Sequence, residues 1–292
     1  MSDNPKETSR VLIAGCGYLG TSLAKRLARG GAAVWGLRRR AASLDLLHQQ
    51  GLTSIQADLL NPAGLRALPQ VNVAVLCQAP SRDQDNYGET YLRGTENLLE
   101  NLARPKPARV IFVSSTSVYP QRDGSWVDEA TPIDLGAFDA EADREKAAAL
   151  LAAEKKALEF KPAGIVLRLG GLYGPSRHRA LRLKKGGEAP RIGDKFTNRI
   201  HVEDAVSAIC TLIEKGKDGQ IYLGVDDLPA TEKEFYEWLC DRFSLPSPVQ
   251  AASTPGESHG KRCSNRKLKD LDWKPRYPDF RSGYREFLRE IL

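Results

Sequence analysis

Short apolar runs and stretches with helical spacing alternate through the first 170 residues of this 292-residue chain. The run Arg10-Val11-Leu12-Ile13-Ala14 predicts a first strand and residues 21–29 a helix. Residues 32–37, 53–57 and 71–77 predict further strands, the last apolar enough to be buried on both faces. Residues 84–103 carry Leu92, Leu98, Leu99 and Leu102 at helical spacing, and 109–113 is a fifth strand. The Ala-, Glu- and Lys-rich stretch 141–158 is a strong helix former, and 164–169 is a sixth strand. Alternating units of this length predict an α/β fold, a doubly wound parallel sheet with right-handed crossovers, over residues 10–175. Past Gly174-Pro175 the pattern turns irregular. Helices at 202–214 and 232–242, a short strand at 220–224 and a last helix near 281–292 predict a smaller α+β lobe over 176–292, packed on the sheet's carboxyl edge.

The turn between the first strand and the first helix reads Gly15-Cys16-Gly17-Tyr18-Leu19-Gly20. The first glycine permits a tight turn, the second lets the backbone approach a pyrophosphate, and the third lets helix and strand pack closely. The helix N-terminus offers free N–H groups and a positive dipole end to phosphate. An apolar strand before and a helix after make this a dinucleotide site rather than a mere glycine-rich turn. An NAD site usually has Asp or Glu about 20 residues past the glycines, bonding the ribose 2′-OH. Here the second strand ends in Arg38-Arg39-Arg40, with Arg38 standing 18 residues after Gly20. Arginine has no acceptor for that hydroxyl, but its planar fork pairs with a 2′-phosphate. The sequence therefore predicts NADP in preference to NAD, with Arg38 and Arg39 at the phosphate.

Composition narrows the class without changing it. No run approaches the roughly 18 apolar residues of a membrane span, and the polar first nine residues lack the apolar centre of a signal peptide. Cys16, Cys77, Cys210, Cys240 and Cys263 are scattered, with no paired spacing, and the four histidines are equally dispersed. That pattern fits a reduced, cytoplasmic chain with no disulfide framework and no metal site. A net charge of +6 permits an anionic ligand but does not imply nucleic acid, whose binders concentrate charge and interleave aromatics. A small-molecule substrate, no membrane partner, and a monomer or homodimer are the expectations.

The ordered pieces resemble the extended short-chain dehydrogenase/reductases, the NAD-dependent epimerase/dehydratase family. They are the glycine turn, Ala57-Asp58-Leu59, Gly94-Thr95-Glu96-Asn97-Leu98-Leu99 and Val113-Ser114-Ser115-Thr116-Ser117-Val118-Tyr119. Leu167-Arg168, Leu172-Tyr173-Gly174-Pro175 and Arg199-Ile200-His201-Val202-Glu203-Asp204-Ala205 follow. The resemblance implies a Rossmann domain for the cofactor and a C-terminal lobe for the substrate. It implies that Asp58 bonds the adenine, with Leu59 beside it, and that Cys77, Gln78 and Ala79 line the ribose. Ser114 adjoins the cofactor at the end of the fifth strand.

Catalysis in that family rests on a Ser or Thr after the fifth strand and a Tyr-x-x-x-Lys pair in the next helix, the lysine lowering the tyrosine's pKa. Ser115 stands where the hydroxyl belongs. The tyrosine is missing: aligning Ala153-Glu154 with the family's Ala-Glu puts Lys146 near the tyrosine position and Leu150 at the lysine position. The asparagine expected three residues before Gly94-Thr95 is Tyr91. The pattern is similar to atypical members that keep the cofactor fold without the standard active site.

Two readings of Lys146 stay open, a substitute acid/base or a solvated charge on an amphipathic helix. Tyr119, Tyr173 and Tyr91 are alternative phenols, each otherwise a packing aromatic. Thr116, Ser117, Tyr173, Arg177 and His201 are the expected substrate contacts, although a histidine at position 201 also suits a cap for the helix that follows. The basic stretch Arg177-His178-Arg179 with Arg182, Lys184 and Lys185 reads either as a clamp for an anionic substrate or as a solvated face. Lys261, Arg262 and Asn265 are weaker candidates from the tail. Trp126, in the insertion 121–132, reads as a lid aromatic or a loop anchor. Two functions follow: an NADP-dependent oxidoreductase or epimerase acting on a small carbonyl or sugar-like substrate, or a non-catalytic NADP-binding sensor or assembly protein.

Overall fold

The computed structural model describes residues 9–40, 47–49, 51–80, 86–179, 183, 191–244, 249–250 and 259–287. Its main sheet has seven parallel strands. They are β1 (Arg10–Ala14), β2 (Ala33–Arg38), β3 (Thr53–Gln56), β4 (Val73–Leu76), β5 (Arg109–Ser115), β7 (Gly164–Leu169) and β12 (Ile221–Gly224). Their order is β12-β7-β5-β4-β1-β2-β3. From β1 the chain builds outward through β2 and β3, then returns to lay β4 on the other side of β1. The carboxyl ends of β1 and β4 therefore form the topological switch point, where open α/β sheets bind ligands. This is the doubly wound Rossmann sheet that the alternating pattern predicts.

The chain divides into two compact units that are interleaved along the sequence. The first comprises Met1–Ser114, Asp139–Leu167 and Ile209–Ile221; the second comprises Ser115–Phe138, Arg168–Ala208 and Tyr222–Leu292. The sequence pattern set a single boundary at residue 175, which lies inside the second unit.

In the first unit, Val11, Leu12, Ile13 and Ala14 of β1 and all four residues of β4 are buried. Buried apolar side chains on both faces are what a central parallel strand requires. Helix α1 (Tyr18–Arg29) buries Leu19, Gly20, Leu23 and Ala24, an i, i+4 stripe, and ends with Arg26 and Arg29 at its negative dipole end. After the short α2 (Pro62–Leu65), residues 84–103 do not form one regular helix. Gly88–Arg93 is a π-helical turn that runs into α3 (Gly94–Asn101). Helix α4 (Glu141–Leu158) keeps the predicted bounds and buries Ala147, Leu150, Ala153, Glu154 and Ala157.

In the second unit, β6 (Asp123–Val127), β10 (Phe196–Thr197), β13 (Ala230–Thr231) and β15 (Gly260–Cys263) form a sheet in the order β13-β10-β15-β6. Two parallel pairs join β8 (Gly171–Tyr173) to β11 (Arg199–His201), and β9 (Arg191–Ile192) to β14 (Val249–Gln250). Helix α5 (Val202–Lys215) follows β11. Helix α6 (Glu232–Phe243) starts at a full capping box: Thr231 accepts from the Glu234 backbone, and Glu234 accepts from that of Thr231. Short helices α7 (Arg266–Lys269) and α8 (Phe280–Arg285) complete the unit. Its core is aromatic, built from Tyr173, Phe235, Phe243, Phe280, Tyr284 and Phe287. The insertion 121–132, expected as a loop, contains edge strand β6. Gly124 at φ +74° and the polar Asp123 and Ser125 mask the strand pattern there.

Candidate dinucleotide-binding site

The three glycines after β1 do three different physical jobs. Gly15 has φ +88°, and a Cβ there would lie 2.6 Å from the backbone nitrogen of Gln78. Only glycine lets the end of β1 pass this close to the end of β4. At Gly20 a Cβ would meet the Gly15 carbonyl oxygen at 2.6 Å, so this position seats the helix against the turn. At Gly17 a Cβ would meet nothing within 4 Å. Its lack of a side chain serves no internal packing and leaves open backbone at the N-terminus of α1.

Around that opening several polar groups converge. Thr21 donates its hydroxyl to the Cys16 carbonyl at 2.8 Å and accepts from the Arg38 guanidinium at 3.1 Å. The last residue of β2 is thereby held at the first turn of α1, and Arg38 Nε is buried without a partner among the described residues. Gln78 is buried; its Nε2 donates to Thr95 Oγ1 at 2.8 Å, while its Oε1 has no partner among the described residues. Asp58 accepts from the Leu60 backbone at 3.0 Å, and Asn97 donates to the Leu59 carbonyl at 2.8 Å, fixing the loop after β3. Tyr18 is half-buried and Leu19 buried, whereas Arg39 and Ala79 are exposed. Burial raises the Cys16 thiol to about 11, against the opposing pull of Arg38, and pushes Cys77 higher still. Both thiols therefore stay protonated at neutral pH. The open backbone at Gly17, the orphaned amide oxygen of Gln78 and the unpartnered Arg38 Nε fit a bound dinucleotide phosphate.

At the end of β5, Ser114 is buried and donates to Glu154 of α4 at 2.5 Å. Ser115 accepts from the Ser117 backbone at 3.1 Å, capping the short turn Thr116–Val118. Thr116 is buried, and the Ser117 hydroxyl is buried without a partner among the described residues.

The NAD dependent epimerase/dehydratase family matches residues 11–223. The chain belongs to that family. It is 28% identical over 278 residues to protein YeeZ of Escherichia coli, covering 92% of this chain and 97% of YeeZ. It is 30% identical over 215 residues to the 3-diazoavenalumate denitrifying reductase of a Streptomyces species, covering 65% and 68% of the two chains. A solved structure from Methylobacillus flagellatus, assigned to the NAD-dependent epimerases/dehydratases, superimposes with a TM-score of 0.76 at 30% identity and covers 97% of this chain and 98% of its own.

For a member of the epimerase/dehydratase family, the helix after β5 is unusual. Leu150, which the resemblance aligns with the family's lysine, is 1% exposed in the apolar core. Lys146, which the resemblance aligns near the tyrosine, is half-buried, with its ammonium over the Tyr87 ring at 5.8 Å from the centroid. Two of the alternative phenols are built into the second unit's interior. Tyr119 donates to the Asp128 carbonyl and accepts from Arg168, both at 2.7 Å. Tyr173 packs against Tyr284 and His201 within the aromatic core. Burial raises both hydroxyls far above the ordinary phenol range, so both stay protonated at neutral pH. Tyr91 is half-buried in the first unit.

His201 is buried, and its Nδ1 accepts from the Glu203 backbone at 3.2 Å, capping α5. Arg177 and Arg179 are exposed, whereas His178 stacks on Phe287 at 4.7 Å. Arg182, Lys184 and Lys185 lie outside the described residues. Lys261 donates to the Tyr119 carbonyl, Arg262 to the Gly124 carbonyl at 2.7 Å and Asn265 to the Val225 carbonyl at 2.9 Å; all three tie the tail into the second unit. Trp126 is an exposed strand residue with the Arg262 guanidinium 5.2 Å from its ring centroid. Thr21, Thr95 and Tyr87 had no site role assigned from the sequence. Thr21 carried a usable signal, a hydroxyl directly after the third glycine, and Thr95 stands in the Gly94–Leu99 piece of the resemblance.

Proposed function

We propose that the chain binds NADP in preference to NAD and uses it in an oxidoreductase or epimerase reaction on a small carbonyl or sugar-like substrate. The observation that carries this reading is the Arg38–Thr21 contact, which holds a guanidinium at the first turn of α1 where an NAD site would present a carboxylate. Backbone of the turn Gly15–Gly20 would receive the pyrophosphate, Arg38 with Arg39 the 2′-phosphate, Asp58 and Leu59 the adenine, and Cys77, Gln78 and Ala79 the ribose. NADP, when bound, supplies or accepts a hydride. Ser115 would orient the reacting oxygen from the carboxyl end of β5. Ser114 does not share that role, since its hydroxyl is committed to Glu154. The reductase among the relatives supports hydride chemistry. The five free thiols and the lack, among the described residues, of any helix able to cross a membrane support a cytoplasmic location.

A second reading, a non-catalytic NADP-binding sensor, is favoured by the buried Leu150 where the family places a lysine. NADPH oxidation with small aldehydes and ketones, together with chromatography of nucleotide sugars incubated with NADP to detect epimers, separates the two. An enzyme should turn over at least one of them and lose about 10²–10³ in rate on Ser115→Ala. Tight NADP binding with no turnover of any of them would favour the sensor.

A further inference from the structure

Helix α4 carries four basic residues: Arg144, Lys146, Lys155 and Lys156. Three pair with carboxylates: Arg144 with Glu141, Lys155 with Glu159 at 3.9 Å and Lys156 with Glu96 at 2.9 Å. Lys146 pairs with none among the described residues. It is half-buried, and its ammonium faces the Tyr87 ring. Tyr87 stacks on Tyr91, the centroids 6.3 Å apart and the planes within 8°. Tyr91 lies in the π-helical turn Gly88–Arg93, an element that costs backbone regularity and recurs at functional sites.

These side chains stand at the ligand-binding edge of the sheet. Tyr91 comes one turn before Thr95, which accepts from Gln78 at the end of β4. Lys146 comes about 12 Å before Glu154 along α4, and Glu154 accepts from Ser114 at the end of β5. Helices that follow parallel strands run back along them, so residues earlier in α3 and α4 project past the strands' carboxyl ends.

We propose that Lys146, Tyr87 and Tyr91 form an oxyanion subsite in the first unit, which holds a carboxylate or phosphate group of the substrate. The proposal rests on the reading of this unit as the seat of NADP and a small-molecule substrate. The Lys146 ammonium faces an aromatic ring and has no carboxylate partner among the described residues. An oxyanion completes it with a charge-assisted bond, and a phenol adds a second donor. Burial, with Tyr87 adding to it, raises the Tyr91 hydroxyl, so that group keeps its proton for donation.

Calorimetric titration of the full chain, with and without saturating NADP, tests this. The probes are 4-hydroxycinnamate, phenyl phosphate and the uncharged 4-hydroxycinnamamide. At least one anion should bind tenfold or more tightly than the amide. The better of the two anions tells carboxylate from phosphate. Lys146→Met should abolish the advantage, Lys146→Arg should retain most of it, and Tyr91→Phe should reduce it severalfold. Equal binding of anions and amide, or an advantage that survives Lys146→Met, would overturn the subsite. Failure of the wild-type chain to bind NADP would instead count against the cofactor reading, with the anion result still standing.

Discussion

Gln78 at the end of β4 donates its side-chain amide to Thr95 in the first turn of α3 at 2.8 Å, with both residues buried. This bond fixes the wall of the switch point opposite the glycine turn. Thr95→Val removes the acceptor and leaves the whole Gln78 amide without a partner among the described residues. The cost should be about 1–3 kcal/mol, read as a lower urea midpoint at an unchanged slope.

Gly15 and Gly17 should fail in opposite ways. Gly15→Ala forces a Cβ against the Gln78 backbone at φ +88°, so the fold itself should lose about 1–3 kcal/mol. At Gly17 a Cβ meets no neighbour within 4 Å, so Gly17→Val should melt close to wild type while losing dinucleotide binding. Thermal melts paired with NADP titrations separate the outcomes. A Gly17→Val protein that binds NADP normally would reduce the motif to a turn.

Neighbouring serines also divide. Ser114→Ala breaks a buried bond to Glu154 and should cost about 1.5–3 kcal/mol. Ser115→Ala loses only a local cap to Ser117 and should cost about 1 kcal/mol or less. Denaturation midpoints of the two variants check the ranking.

His201 predicts a pH effect. Burial holds it at about 4, against its ordinary 6.5. The unfolded chain therefore takes up the proton first. His201's contribution is complete above about pH 6.5 and is lost as pH falls toward 4. Asp204, raised by burial to about 6 from 3.8, has the opposite sign and gains stability as pH falls from about 6 toward 3.8. His201→Gln removes the first effect only. Its stability relative to wild type should improve between pH 7 and pH 5 in urea titrations; a difference independent of pH would contradict the account.

Most of the first unit was legible because β1 and β4 carry unbroken apolar runs and α1 and the Ala-, Glu- and Lys-rich α4 are strong helix formers. The bounds of α4 and β7 coincide with the predicted ones. The second unit was less legible. Strands such as Phe196–Thr197 and Ala230–Thr231 are two residues long, too short for any period to register, and their pairing is set by contacts distant in sequence. The glycine turn announced its chemistry through spacing. The pairing of Lys146 with Tyr87 did not, because it joins helices 59 residues apart through a π-helical turn that no local pattern specifies.

The proposed selection of NADP rests on Arg38. The most direct measurement is the ratio of NADP to NAD dissociation constants by calorimetry, for the wild-type chain and for Arg38→Ala. A charge-assisted contact to the 2′-phosphate is worth about 1.5–3 kcal/mol, so NADP should bind about tenfold to a hundredfold more tightly, and Arg38→Ala should bring the ratio close to one. Equal or tighter binding of NAD by the wild type, or a preference that persists without Arg38, would contradict it.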